Sequence, residues 1–216
     1  YITTGAALTR AAQLFGMPAF GFGLLAALPY AGSLMQVPAS YLIEKYGHRK
    51  PVFLVSGLVH RALWFAIAAI PWLIPPEAWW IALLVLLASS SFLGHVSSPG
   101  VMAWFGDVIP RPVRGRYFSR RMQVGQLTGL MATLLVGWAL DRTGAVDEHS
   151  LRVTVSALFA VAALVGVIDY LLLVRLPDPG TPVHMGHVGL GQVLCHAREA
   201  RPCGARAQAL ETQALE

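Results

Sequence analysis

Two histidines, one arginine and one aspartate lie deep inside apolar runs of this 216-residue chain, and they are the groups with chemistry to offer. His60 and Arg61 fall in the run that starts at Pro51, His95 in the run that starts at Ala78, and Asp169 in the run Val153 to Val174. Imidazole titrates near neutrality, so His95 can relay protons or hold a polar solute. The plainer alternative is a histidine satisfied by a carbonyl of a neighbouring helix. Arg61 is ten residues into its run, about 15 Å deep, where a charge costs on the order of 3 kcal/mol and calls for a partner or water. Asp169 is the one visible acid inside a run, about 7–9 Å from Arg175, and an Arg61–Asp169 pair is the expected answer. Ser97 and Ser98 follow His95 directly, before the Pro99 break, and Gln36 sits in an earlier run.

An enzyme would need its groups at one depth, and His60, His95 and Asp169 sit at different depths. No nucleophile–base pair, phosphate loop or metal motif is present, so neither an enzyme nor a cofactor is expected. His184, His187, Cys195, His196 and Cys203 offer soft ligands, but at spacings that match no zinc site.

The elements that must position these groups are apolar spans. Hydrophobic residues make up 56% of the chain and charged ones 12%, half the share of a soluble domain, which places it among membrane proteins. The net charge of +5 sits in short turns, not along a face that could follow a phosphate backbone, so no nucleic acid is expected. Tyr1 to Phe15 reads as the end of a first span, and with no leader or initiating methionine in view the chain reads as a fragment. Phe20 to Ile43, Pro51 to Ile74, Ala78 to Phe105, Met122 to Leu140 and Val153 to Val174 read as five further spans. Trp72, Trp79 and Trp80 around Pro75-Pro76 have the look of an interfacial belt. Residues 177–216 contain no apolar run. They read as a cytoplasmic linker, a disordered tail or the product of a shifted reading frame. The stretch Ser89 to Gly100 is small and polar, suited to a packed or water-lined position.

Lysine and arginine number three in the turn 44–50 and five in 107–121, against none in 75–77 and two in 141–152. The richer side is cytoplasmic by the positive-inside rule, as is the tail after the sixth span. Ser40 to Gly47 and Gly137 to Gly144 share a pattern of small residue, apolar stretch, acid, base and glycine at an offset of 97. The same offset lays the second span on the fifth and the third on the sixth. Three spans followed by three related spans have opposite topology, an inverted repeat of the kind found inside transporter halves.

The turn itself, Ser40-x-Leu-x-Glu44-Lys45-x-Gly47-x-Arg49-Lys50, resembles the signature loop of the major facilitator superfamily, with Glu44 where Asp is usual and Ser40 where Gly is usual. Asp107-Val-Ile-Pro110 followed by Arg114-Gly115-Arg116 is similar to that superfamily's second such loop. The resemblance covers residues 1–176. It implies an all-α membrane protein, six helices in a 3+3 inverted repeat, half of a twelve-span transporter whose carboxy-terminal six-helix half is a further partner. It implies rocking about a central site, a small-molecule solute and a coupling proton or ion, in the inner or plasma membrane. In that arrangement the first and fourth helices line the cavity, which makes His95, Ser97 and Ser98 pathway candidates, with Gln36 and then Thr3, Thr4 and Arg10 behind them. The third and sixth helices lie outside, which makes the Arg61–Asp169 pair a clamp. Glu44, Lys45, Gly47, Arg49 and Lys50 become a cytoplasmic gate, since an acid and a glycine are not needed to set topology alone. The Arg–Gln–Gly pattern of proton-coupled members is absent from the fourth span, and the Gly-x-x-x-Gly-Pro run of drug antiporters from the fifth. The rivals are a membrane-embedded scaffold or assembly subunit without transport, and behind it an intramembrane enzyme.

Overall fold

The computed structural model describes residues 5–46, 49–145 and 147–176. The chain divides into a unit Tyr1–Gly180 and a unit Thr181–Glu216, and the second lies wholly outside the described residues. The first unit is built of α1 (Ala6–Leu14), α2 (Ala19–Ser33), α3 (Gln36–Tyr46), α4 (Arg49–Leu73), a 3₁₀ turn (Pro76–Ala78), α5 (Trp79–Val108), α6 (Arg111–Gly144) and α7 (Glu148–Arg175). There is no strand among the described residues.

The breaks between helices are written in local chemistry. Gly16 ends α1 with a φ of +67°, and the bonds Met17 N to Ala12 O and Gly16 N to Gln13 O, both 3.0 Å, close a left-handed cap that favours glycine. α2 and α3 form one span interrupted at Leu34–Met35, where the sequence reading has a continuous run. Pro38 has no N–H for the carbonyl four residues back, which is Leu34. The chain answers with tighter bonds, Leu34 N to Ala31 O at 3.3 Å and Met35 N to Gly32 O at 2.9 Å. The basic stretch 107–121 is also not the turn expected from its charge. Only Ile109-Pro110 is turn, and α6 begins at Arg111 with Pro112 tolerated in its first turn. Likewise most of 141–152 is helical, with α6 running on to Gly144 and α7 starting at Glu148. In both places apolarity marks where lipid ends, whereas prolines and caps mark where the helix ends.

Asp147 caps α7, accepting from Ser150 N–H at 3.2 Å. Hydrogen bonding from the Ser150 side chain, and then from this N–H, holds its carboxyl below the usual aspartate range. A lowered native pKa means the stabilisation is full above the ordinary carboxylate range and fades as pH falls through the lowered value. Asp147→Asn is therefore expected to flatten the acid limb of a plot of thermal midpoint against pH, leaving the neutral region nearly unchanged.

Five helical stretches are long and apolar enough to cross a bilayer: Ala19–Tyr41, Lys50–Leu73, Pro76–Val108, Arg111–Gly144 and Glu148–Arg175. α1, with nine residues, covers about 14 Å and stands where the first span is expected. α4 is the centre, packed between α5 and α7, while α2 and α3 lie on α5, α6 lies on α7, and α1 touches α6 and α7. Shifted by 97 positions, α4 falls on α7 and the α2–α3 span on α6. Lipid supplies little hydrophobic drive between helices, so fit decides. Trp64 meets Phe159 with ring centroids 5.4 Å apart, and Phe53 meets Trp104 at 5.8 Å. The outward faces stay apolar (Phe20, Leu24, Val37, Leu134 and Leu135 among them), as a lipid-facing surface requires.

Candidate functional site

α4 and α5 form a hairpin around Pro75, and its register brings polar groups together. His60 lies opposite Ser90, thirty residues on. Its Nδ1 is 2.7 Å from the Ser90 carbonyl and 2.8 Å from Ser90 Oγ. A carbonyl only accepts, so Nδ1 carries the proton. Ser90 Oγ in turn donates to the His60 carbonyl at 3.4 Å. One turn deeper on α5, His95 Nδ1 donates to the Ser91 carbonyl at 2.8 Å. Both rings are thereby oriented, and in the neutral form each keeps its lone pair on Nε2.

These two rings share a cavity of about 420 Å³ whose lining includes Leu25, Leu28 and Pro29 of α2, Gln36 of α3, Trp64, Leu87, Ser90, Ser91, Gly94 and Ser98. Close approach is made possible by glycine. A methyl group on Gly32 would stand 2.6 Å from His95 Nδ1, and one on Gly94 would stand 3.2 Å from the His60 ring. Ser91 Oγ donates to the Leu28 carbonyl at 3.3 Å, so its proton is also committed to backbone. No Asp, Glu, Lys or Arg is among the lining residues. The surface is thus rich in hydrogen-bond acceptors and carries no formal charge while both rings are neutral. His60 is eleven residues into α4, about 16 Å along it, close to half of the span.

Of the residues singled out from sequence, Gln36, His95 and Ser98 meet in this cavity. Ser97 does not. It is 1% exposed, donates to the Phe53 carbonyl at 2.9 Å and lies 3.1 Å from Tyr170 Oη, tying α5 to α4 and α7. Arg10 lies in a separate groove beside Asp141 and Gly144, and Thr3 and Thr4 lie outside the described residues. His60, which the sequence places only in the enzyme reading, also lines the cavity. The signal that finds it is its equal distance with Ser90 from Pro75, the pivot of a tight hairpin.

The expected Arg61–Asp169 pair is not formed within the 4.0 Å of an ion pair. Arg61 lies along Gly166, where an added methyl would meet its Cδ at 2.5 Å, and its Nε is buried without a hydrogen-bond partner. Asp169, three residues further along α7, points outward and is exposed. Gly166 leaves room for the long arginine stem in the helix interface, away from the acid. Asp169→Asn is accordingly expected to leave membrane abundance and thermal stability unchanged within about 0.5 kcal/mol, as read by the folded fraction after heating in detergent.

The signature turn is tied to α7. Lys50 Nζ donates to the carbonyls of Val174, at 3.2 Å, and Leu176, a cation on a helix C-terminus. Lys45 Nζ lies 5.9 Å from the centre of the Tyr41 ring. Gly47 and the side chains of Glu44 and Arg49 lie outside the described residues. In the second loop, Asp107 lies in the last turn of α5 and Pro110 precedes α6. Arg114 folds back on the end of α5, donating to the carbonyls of Gly106 and, at 3.2 Å, Ile109. Gly115 has open space around it, and Arg116 is exposed. The five soft ligands of the tail lie outside the described residues.

Comparison with protein families matches residues 1–198 to the Major Facilitator Superfamily, a stretch that contains every described helix. No curated protein gave a match, and no solved structure did. Members of this family are membrane transporters rather than enzymes, acting on small solutes from within the lipid bilayer. With its apolar helices and the match along almost all of its length, the chain is an integral, multi-pass membrane protein that forms half of the facilitator fold and belongs to the major facilitator superfamily.

Proposed function

We propose that the cavity between α2–α3 and α4–α5 is the solute path of a transporter working by alternating access. The bundle would rock against a carboxy-terminal six-helix half in the inner or plasma membrane, with the signature turn on the cytoplasmic side. The observation that carries this reading is that His60 and His95, each with Nδ1 held by a backbone carbonyl, line one cavity near the middle of the span with no Asp, Glu, Lys or Arg among its lining residues. Such a lining suits a solute that offers several hydrogen-bond donors and carries no negative charge. The turn around Glu44, Lys45, Gly47, Arg49 and Lys50 would act as the gate, with Lys50 and the end of α7 as its hold on the bundle.

Thiol accessibility tests this. In a Cys195→Ser/Cys203→Ser background, Ser98→Cys should react with a membrane-impermeant thiosulfonate from either face of sealed vesicles, because the cavity opens alternately. Ser97→Cys, enclosed between three helices, should react at least about tenfold more slowly. Equal rates at the two positions, or reaction of Ser98→Cys from one face only, would count against a rocking pathway. A scaffold without transport predicts the second of these.

A further inference from the structure

We propose that the arginine-rimmed groove where α5 passes into α6 is a binding site for an anionic phospholipid. The groove, about 680 Å³, has an apolar wall that includes Val108, Ile109 and Val113 and a rim formed by Arg116, Arg120 and Arg121. It is independent of the histidine cavity and does not depend on what that cavity carries.

Its place along the helices is the first argument. The apolar run of α5 ends at Phe105 and that of α6 begins at Met122, so the groove lies at the level where hydrocarbon gives way to headgroups. The second is charge. Arg116 and Arg120 are four apart on one helix face, a like-charge spacing that opposes the helix, and Arg121 adds a third cation. No acid is among the groove's lining residues. An anion lodged between the guanidinium groups would relieve the repulsion.

The third argument is which arginine is spent and which are not. Arg114 is engaged with the end of α5 through the Gly106 and Ile109 carbonyls. Arg121 stacks over Phe105 with its guanidinium carbon 4.7 Å from the ring centre, which leaves its in-plane N–H groups available. Arg116 and Arg120 make no hydrogen bond or ion pair among the described residues. Guanidinium groups take phosphate through paired N–H donors. A free phosphate would satisfy the rim and leave the apolar wall bare. A phosphodiester with acyl chains satisfies both, and basic pockets at membrane boundaries bind such headgroups.

The full chain, purified in mild detergent and mixed with equal amounts of phosphatidylglycerol and phosphatidylcholine, is examined by native mass spectrometry. The wild type is expected to retain phosphatidylglycerol over phosphatidylcholine by at least about tenfold, at a few-fold per arginine near the headgroup. R116Q/R120Q/R121Q should lose that preference, and R142Q, which removes a charge elsewhere, should keep it. Val113→Trp fills the groove with every arginine in place and should also lose it, which keeps the test decisive if the triple variant does not fold. Equal retention of the two lipids by the wild type overturns the proposal. So does a preference that survives Val113→Trp, or displacement of phosphatidylglycerol by inorganic phosphate at matching concentration, which would make the ligand a free anion.

Discussion

Gly57→Val is expected to lower markedly the temperature at which the protein leaves its folded, monodisperse state in detergent. The Tyr170 ring of α7 lies against Gly57 of α4, so that any Cβ at this position would fall within the ring. The ring is half-buried and tethered at its far end. Its hydroxyl is held 3.1 Å from Ser97 Oγ, Ser97 donates to the Phe53 carbonyl at 2.9 Å, and Phe53 is braced by Trp104, itself 2% exposed. Three helices meet at this point, and overpacking it costs about 3 kcal/mol, a large part of the roughly 5–15 kcal/mol that keeps a protein folded. Gly57→Ala should cost less, and Tyr170→Phe about 1 kcal/mol, since Ser97 keeps its bond to Phe53. Removing the ring in a Gly57→Val/Tyr170→Ala double variant should recover part of the loss, because the two positions share one volume. The measurement is the monodisperse fraction on size-exclusion chromatography after heating. A Gly57→Val protein as stable as the wild type would show that α4 and α7 do not meet in this way.

The second large effect is expected on transport with the fold intact. His95→Asn keeps an amide N–H where Nδ1 donates to the Ser91 carbonyl and deletes Nε2 from a residue that lines the cavity. Folding should be unaffected, while solute uptake into proteoliposomes should fall about tenfold or more, the worth of one buried hydrogen bond to the solute. His95→Gln, which can carry an acceptor out to the Nε2 position, should retain more uptake than His95→Asn. The same order is expected at His60. If the asparagine variants transport as well as the wild type, the imidazoles are structural, satisfied by Ser90 and Ser91 and nothing more.

Much of this molecule was legible before its coordinates. The positions of the spans follow from where charge is absent, and the family from the turn around Glu44 and Gly47. Four features were not legible, each for a physical reason. The break at Leu34–Met35 depends on a proline that acts four residues away, inside a run that is uniformly apolar. The helical start at Arg111 is set by Pro110, while the charges that follow it mark only the edge of the lipid. The separation of Arg61 from Asp169 depends on Gly166, which admits the arginine stem. Among the pathway residues, Ser97 and Ser98 are neighbours in sequence, yet a helix turns its side chains about 100° per residue, so one seals the α4–α7 joint and the other faces the cavity. Hydropathy gives depth and says nothing of azimuth. The hairpin register supplies azimuth, since His60 with Ser90 and Phe53 with Ser97 are each centred on Pro75.

That hairpin bears on how the chain enters the bilayer during synthesis. The bonds between His60 and Ser90, and between Ser97 and the Phe53 carbonyl, all lie within α4 and α5, consecutive segments joined by a single 3₁₀ turn. Polar groups are costly to pass into hydrocarbon alone. As a paired unit these two helices can leave the insertion machinery with those groups already satisfied by one another, before α6 and α7 have been made.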